Sequence, residues 1–182
     1  MIIETDRLVL RPFKEGDAAD LYEYLKAPEV HCFECMRIAS MEQAIEEVKK
    51  RALDGDFYLA VEHKDSGKVI GEMFAHAESA DPTNEDRDTF SPCWMFHPDY
   101  KGKGYGYEAA HAFIDYLFNS CRARRVYMYT EDYNIACQKL CEKLGARQEG
   151  LFKEFVSFID DENGNPIYEN TYQYAILKKE WK

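Results

Sequence analysis

From Tyr100 to Tyr107 the chain reads Tyr-Lys-Gly-Lys-Gly-Tyr-Gly-Tyr, three alternating glycines set between a strand-like run and a helical one. That placement constrains the fold more than any other stretch. Glycines let backbone N–H groups turn inward without side-chain obstruction, and a helix start adds unpaired donors and the positive end of a dipole. A pyrophosphate suits such a cradle; Lys101 and Lys103 add countercharge. A dinucleotide fingerprint would need a glycine where Tyr107 stands, and a Walker loop would need Gly-Lys-Ser or Gly-Lys-Thr, so neither pattern is met. The competing reading is a turn whose glycines merely let strand and helix pack closely.

The flanking pattern predicts a mixed α+β chain. Arg7 to Phe13 alternates as a strand, and Asp17 to Leu25 has apolar positions at helical spacing. Ser40 followed by Gln43 forms a capping-box pattern ahead of a helix from Met41 to Leu53, which Gly55 ends. Phe57 to Glu62 and Val69 to Ala77 read as a hairpin through Asp65-Ser66-Gly67. An acidic loop with Pro82 and Asn84 spans Glu78 to Asp88, and Pro92 in the strand Thr89 to Phe96 predicts an edge or a bulge. A helix from Gly104 to Cys121 then leads to a strand from Val126 to Thr130, a parallel crossover. A helix from Ile135 to Leu144 follows, and two long strands meet around Glu162-Asn163-Gly164-Asn165.

At 182 residues the chain suits one domain, residues 1–182, and its 46% hydrophobic content favours a packed core over disorder. Lys and Arg number 23 against 34 Asp and Glu, and the net charge of -11 disfavours nucleic acid and anionic membranes as partners. The amino terminus shows no basic flank before a long apolar run, so a cytoplasmic location is the simplest expectation, with the six cysteines reduced.

The loop Lys101-Gly102-Lys103-Gly104-Tyr105-Gly106 resembles the signature of the GNAT superfamily of N-acetyltransferases except at its first position, where the family has Arg or Gln. His97 through Ala109, the opening run Glu4 to Phe13 and the later element Asn134 to Gly145 are similar to the branch that includes ribosomal-protein N-terminal acetyltransferases. The resemblance covers nearly the whole chain. It implies a largely antiparallel central sheet flanked by about four helices, and acetyl-CoA as acyl donor. It further implies that the amides of Lys101, Gly102, Lys103, Gly104, Tyr105 and Gly106 hold the pyrophosphate. The strand end at Met95, Phe96 and His97 would pair with pantetheine, and Asn134 would support its far end. The implied acceptor is a small-molecule amine or a protein amino terminus, by direct transfer in a ternary complex; a homodimer is left open.

Acetyl transfer needs a deprotonated amine and a proton source for the departing thiolate. Glu72 is the first candidate base, with His76 in reserve, since Ile70, Glu72, Phe74, His76 and Glu78 share a face by period-two spacing; a solvated face is the plain alternative. The fourth-strand glutamate common in relatives is absent from Ser91-Pro92-Cys93-Trp94. Cys137, where that branch has Ser, is the candidate acid, and Cys141 reads as packing. Those replacements keep a second reading open, a non-catalytic acetyl-CoA-binding module. Cys32 and Cys35 have the short spacing of zinc or redox sites but lack a second ligand pair, so no metal is assigned. Phe33 and Glu34 are candidate acceptor contacts by the same resemblance.

Overall fold

The computed structural model describes residues 1–54, 57–79 and 87–182. Gly55 as a helix stop and the body of the acidic loop, with Pro82 and Asn84, lie outside the described residues. Eight strands build one sheet: β1 (Ile3–Glu4), β2 (Leu8–Arg11), β3 (Tyr58–His63), β4 (Val69–Glu78), β5 (Thr89–Phe96), β6 (Arg125–Glu131), β7 (Arg147–Asp160) and β8 (Pro166–Leu177). Their order is β1-β2-β3-β4-β5-β6-β8-β7. All pairs are antiparallel except β5 with β6. The four α-helices are α1 (Ala18–Leu25), α2 (Met41–Leu53), α3 (Tyr105–Asn119) and α4 (Ile135–Lys143). Among the described residues no helix is long and apolar enough to cross a membrane.

Alternation along the central strands divides the core in two. Leu8 and Leu10 of β2 and Leu59 and Val61 of β3 pack with Phe113, Ile114 and Leu117 of α3. Ala60 of β3 and Val69 of β4 turn the other way and pack with Leu21, Leu25, Ala44 and Val48 of α1 and α2. Helices therefore cover both faces of the sheet. Burying a side chain as large as Phe113, which has no exposed surface, contributes about 1.5–3 kcal/mol.

At the start of α2, Ser40 Oγ accepts from the Gln43 amide at 3.3 Å. The return arm of Gln43 reaches Ala39 N at 2.8 Å, one residue short of the expected cap. A bulge changes β4 more. Val61 pairs with Gly71 but Glu62 pairs with Val69, so Ile70 is an extra residue and joins the core cluster of Met73. Ile70 thus leaves the face of Glu72, and the expected five-residue stripe begins at Glu72 instead.

The strand carrying Pro92 is central rather than at an edge. β5 pairs with β4 through eight residues but with β6 only at Thr89↔Arg125 and Phe90↔Val126. Beyond Phe90 the two parallel strands diverge. Ala75 N donates to Phe57 O of the segment before β3, so its partner Pro92 directs its nitrogen away from β4, into the gap. Proline has no N–H to waste there. The gap is the origin of the cleft described next.

Gly71 permits the close contact at the cleft-side end of β4 and β5: a Cβ at this position would stand 2.3 Å from Met95 O and 2.9 Å from the Phe96 ring. Gly71→Ala should therefore push β5 from β4 and cost about 1–3 kcal/mol, read as a lower urea midpoint with unchanged slope.

Candidate functional site

Divergence of β5 and β6 opens a cleft of about 450 Å³, within the size range of small-molecule sites. One wall is β5, the other is β6 with α4, and the floor of one end is the glycine loop. Register alternation from the Ala75–Pro92 pair turns the main chain of Trp94 and Phe96 toward the gap, while Met95 faces Glu72 across the β4 ladder. His97 N donates to Ile70 O at 2.8 Å, and its ring Nδ1 accepts from Asp99 N at 3.1 Å. Of the three expected strand-end residues, Phe96 is the one whose main-chain groups face an open edge; Trp94, two residues earlier, joins it by the same parity.

The loop turns as its glycines allow. Gly102 and Gly104 have φ of +74° and +84°, a region where side chains are strained. Gly104 is the residue immediately before α3. Lys101 is ion-paired with Glu29, and Lys103 Nζ donates to Asp99 O at 2.9 Å; both lysines sit at this end of the molecule. Glu108, in the first turn of α3, anchors the loop to the amino-terminal segment. It accepts from Thr5 Oγ1 at 2.6 Å, from Arg7 N at 2.8 Å and from Arg7 Nε at 2.6 Å, while Arg7 Nη1 donates to Lys103 O at 3.0 Å. Those bonds outweigh partial burial and hold the Glu108 carboxyl below its usual range. An amide-rich turn, an open backbone edge and nearby cations fit the diphosphate and the amide arm of a CoA thioester.

On the opposite wall Asn134 caps α4, its Oδ1 accepting from Cys137 N at 3.2 Å. Asn134 and Cys137 both line the cleft. Cys141, one turn on, is fully buried. The interaction of the two thiols holds Cys137 below an ordinary thiol and, with burial, pushes Cys141 up. Cys137 carries the more labile proton of the two.

Glu72 sits differently from the sequence expectation. It has no exposed surface and lies outside the cleft lining. Arg51 Nε donates to it at 3.1 Å, Tyr24 Oη at 3.1 Å and Tyr58 Oη at 3.1 Å. Burial, then the Glu72 charge, push both tyrosine hydroxyls up, so they stay protonated donors. Glu72 is the anion of a buried ion pair whose lone pairs are engaged; Tyr24 stands between it and the cleft. His76 is exposed and rests against the Phe74 ring at 5.7 Å.

The carboxylate that does line the cleft at this end is Glu131, the last residue of β6, only 5% exposed. The sequence pattern ends this strand at Thr130, so Glu131 reads there as loop. Pairing of Glu131 with Thr171 of β8 extends the strand by that residue. Its position three residues before the family-like Asn134 was the available signal. Cys32 and Phe33, from the 3-10 turn His31–Met36, close the same end of the cleft. Glu34, the other expected acceptor contact, is paired with Arg37 at 2.7 Å and is not part of the lining.

Comparison with known proteins agrees with this geometry. Residues 7–147 match the sequence model of the family described as Acetyltransferase (GNAT) domain. The chain is 30% identical over 181 residues to "Uncharacterized N-acetyltransferase YnaD" of Bacillus subtilis, covering 100% of this chain and 99% of that one. Among solved structures it is similar to a GNAT-family acetyltransferase from Bacillus anthracis, with a TM-score of 0.84, 27% identity and coverage of 99% and 100% of the two chains. A ribosomal-protein-S5-alanine acetyltransferase from Vibrio fischeri shares the fold, with a TM-score of 0.74, 20% identity and coverage of 100% and 99%.

Two outcomes follow from the geometry. Gly104→Val forces a branched side chain to φ near +84°, with its Cβ 3.3 Å from the Arg7 guanidinium. Calorimetry should show acetyl-CoA affinity at least about tenfold weaker, the equivalent of roughly 1–2 kcal/mol of backbone strain, with circular dichroism unchanged. Glu72→Ala leaves the buried Arg51 with Glu47 alone as its partner and the Tyr24 and Tyr58 hydroxyls without their acceptor, and should cost about 3–5 kcal/mol in urea unfolding.

Proposed function

As a member of the GNAT acetyltransferase family the chain moves an acetyl group from acetyl-CoA to an amine, and we propose that the acceptor is a compact, positively charged primary amine, acetylated by direct transfer in a ternary complex. The observation that carries this reading is the polarity of the cleft. Lys101, paired with Glu29, lines the cleft at the glycine loop and Lys143 lines it from the end of α4, whereas Glu131 lines it with Tyr24, Cys32, Phe33 and Cys93 and has no cationic partner among the described residues. A phosphate-bearing donor and an ammonium-bearing acceptor are thereby given different partners in the cleft, and their reacting groups meet between β5 and β6. Free amines are mostly protonated at neutral pH, so a carboxylate is the complementary partner. Trp94 and Phe96 offer main-chain groups to the pantetheine arm, the loop amides offer donors to the pyrophosphate, and Cys137 offers a proton to the leaving sulfur.

A second acceptor class, a protein amino terminus, is favoured by one feature. Tyr129 lines the cleft and its ring lies 5.7 Å from Phe155 and 6.2 Å from Phe152. All three rings are between 38% and 49% exposed, so an aromatic strip runs from the cleft mouth onto β7. The fold neighbour named as a ribosomal-protein-S5-alanine acetyltransferase is consistent with that use.

Thiol release from acetyl-CoA, assayed with amino acids, polyamines, amino sugars, aminoglycosides and peptides with free amino termini, separates the two. Small cationic amines should give at least about tenfold higher kcat/KM than peptides, and no thiol should be released without an acceptor. Higher kcat/KM on the peptides would assign the second class, and a stoichiometric burst without acceptor would overturn direct transfer.

A further inference from the structure

Among the described residues two carboxylates line the cleft, Glu29 and Glu131. Glu29 is ion-paired with Lys101. Glu131 has no cationic partner among the described residues, although it is only 5% exposed. The contrast with Glu72 is chemical: there Arg51 pairs with the carboxylate and two tyrosines engage the oxygens. A buried, unbalanced carboxylate is costly unless something positive completes it. Its surroundings add no such charge. Glu169 of β8 lies two residues from Thr171, the cross-strand partner of Glu131, so both carboxylates share one sheet face. Glu169 itself is 7% exposed; Oε1 accepts from His31 Nδ1 at 2.5 Å, and Oε2 is buried with no partner. This His31 contact ties the 3-10 turn to the sheet, and Cys32 of that turn lines the cleft with Glu131, where burial and then the Glu131 charge push its thiol up.

We propose that Glu131 receives the ammonium of the acceptor and takes its proton, which makes it a catalytic residue of the transfer. The inference rests on the proposed acetylation of a cationic amine in this cleft. One N–H bond of the ammonium breaks and its proton passes to the Glu131 carboxylate. The freed nitrogen lone pair forms a bond to the thioester carbonyl carbon, and the C–S bond breaks with its electron pair on sulfur. Cys137 protonates that sulfur and regains a proton from the nitrogen, which now carries the acyl group. Glu131 then loses its proton to solvent, so one ammonium ion and one thioester give one amide, one thiol and one proton. Glu131 is well placed for this because it lies on β6, the wall that also leads to Asn134 and Cys137, while Cys93 faces it from β5.

The test uses Glu131→Gln, nearly the same size and uncharged, beside Glu131→Asp. Spermidine, glucosamine and alaninamide serve as acceptors. With whichever of them the unaltered protein acetylates, Glu131→Gln should lower kcat/KM at least about 100-fold, a typical loss for a proton acceptor. It should abolish the fall in rate toward acid pH and weaken calorimetric binding of the same amine to the CoA-loaded protein about tenfold, with acetyl-CoA affinity unchanged. Glu131→Asp should restore part of the rate and the acid limb. The titratable groups facing Glu131 are His31 and Cys32 from the 3-10 turn, Cys93 from β5, Tyr133 after β6, Cys137 from α4 and Glu169 from β8. His31, which holds Glu169, is the other base on this side, so His31→Gln is the control and should keep the acid limb. Retention of the rate or of the acid limb by Glu131→Gln overturns the role assigned to Glu131 and leaves the acceptor reading intact. No thiol release by the unaltered protein with any of the three amines overturns the acceptor reading, and this inference with it.

Discussion

Two residue pairs, Thr89↔Arg125 and Phe90↔Val126, hold β5 to β6, and what lies beyond them depends on their being so few. A continuous parallel ladder would seal the sheet. Because the strands part after Phe90, main-chain groups of β5 face a gap instead of a neighbour, and α3 and α4 direct their amino-terminal ends toward that gap. Pro92 is compatible with the opening because its nitrogen has no hydrogen to leave unpaired. The crossover from β5 through α3 to β6 then makes the glycine loop the natural end of the cleft, since that loop is the connection from the diverging strand to the helix.

The loop is held from a distance in sequence. Glu108 takes three hydrogen bonds from Thr5 and Arg7, and Arg7 also donates to Lys103 O. The opening run of the chain, which looks like a mere strand with a family resemblance, thus also clamps the first turn of α3. Charge and geometry agree here: an acidic residue suits the positive end of the helix dipole, and Arg7 supplies a cation against the same turn. The donor end of the cleft is therefore built from local glycine geometry reinforced by contacts nearly a hundred residues apart.

At the acceptor end, two glutamates illustrate what tertiary contact adds. Glu72 and Glu131 are both strand carboxylates with almost no exposed surface. Arg51 from α2, shared with Glu47, pairs with Glu72, and Tyr24 and Tyr58 engage its oxygens. Glu131 has no Lys or Arg partner among the described residues, and it lines the cleft. Period-two spacing alone points to the first and passes over the second, because a bulge at Ile70 and the partners of each residue are contributed by other elements.

Most of the helices, the order of strands and helices, the β5–α3–β6 crossover and the glycine turn before α3 were legible in the sequence, since each rests on local periodicity, capping or the φ freedom of glycine. The same local chemistry marked Asn134 and Cys137, which lie within one helical turn of each other. The splay of β5 from β6, the bulge at Ile70, the extra strand residue at Glu131 and the pairing of Glu72 with Arg51 were settled only by tertiary structure. Each depends on hydrogen bonds or charges brought from residues distant in the chain, and no pattern within a single segment encodes which partner will arrive. The sequence by itself determined where the glycine turn meets a helix start; the folded sheet decided which carboxylate is left without a cationic partner among the described residues.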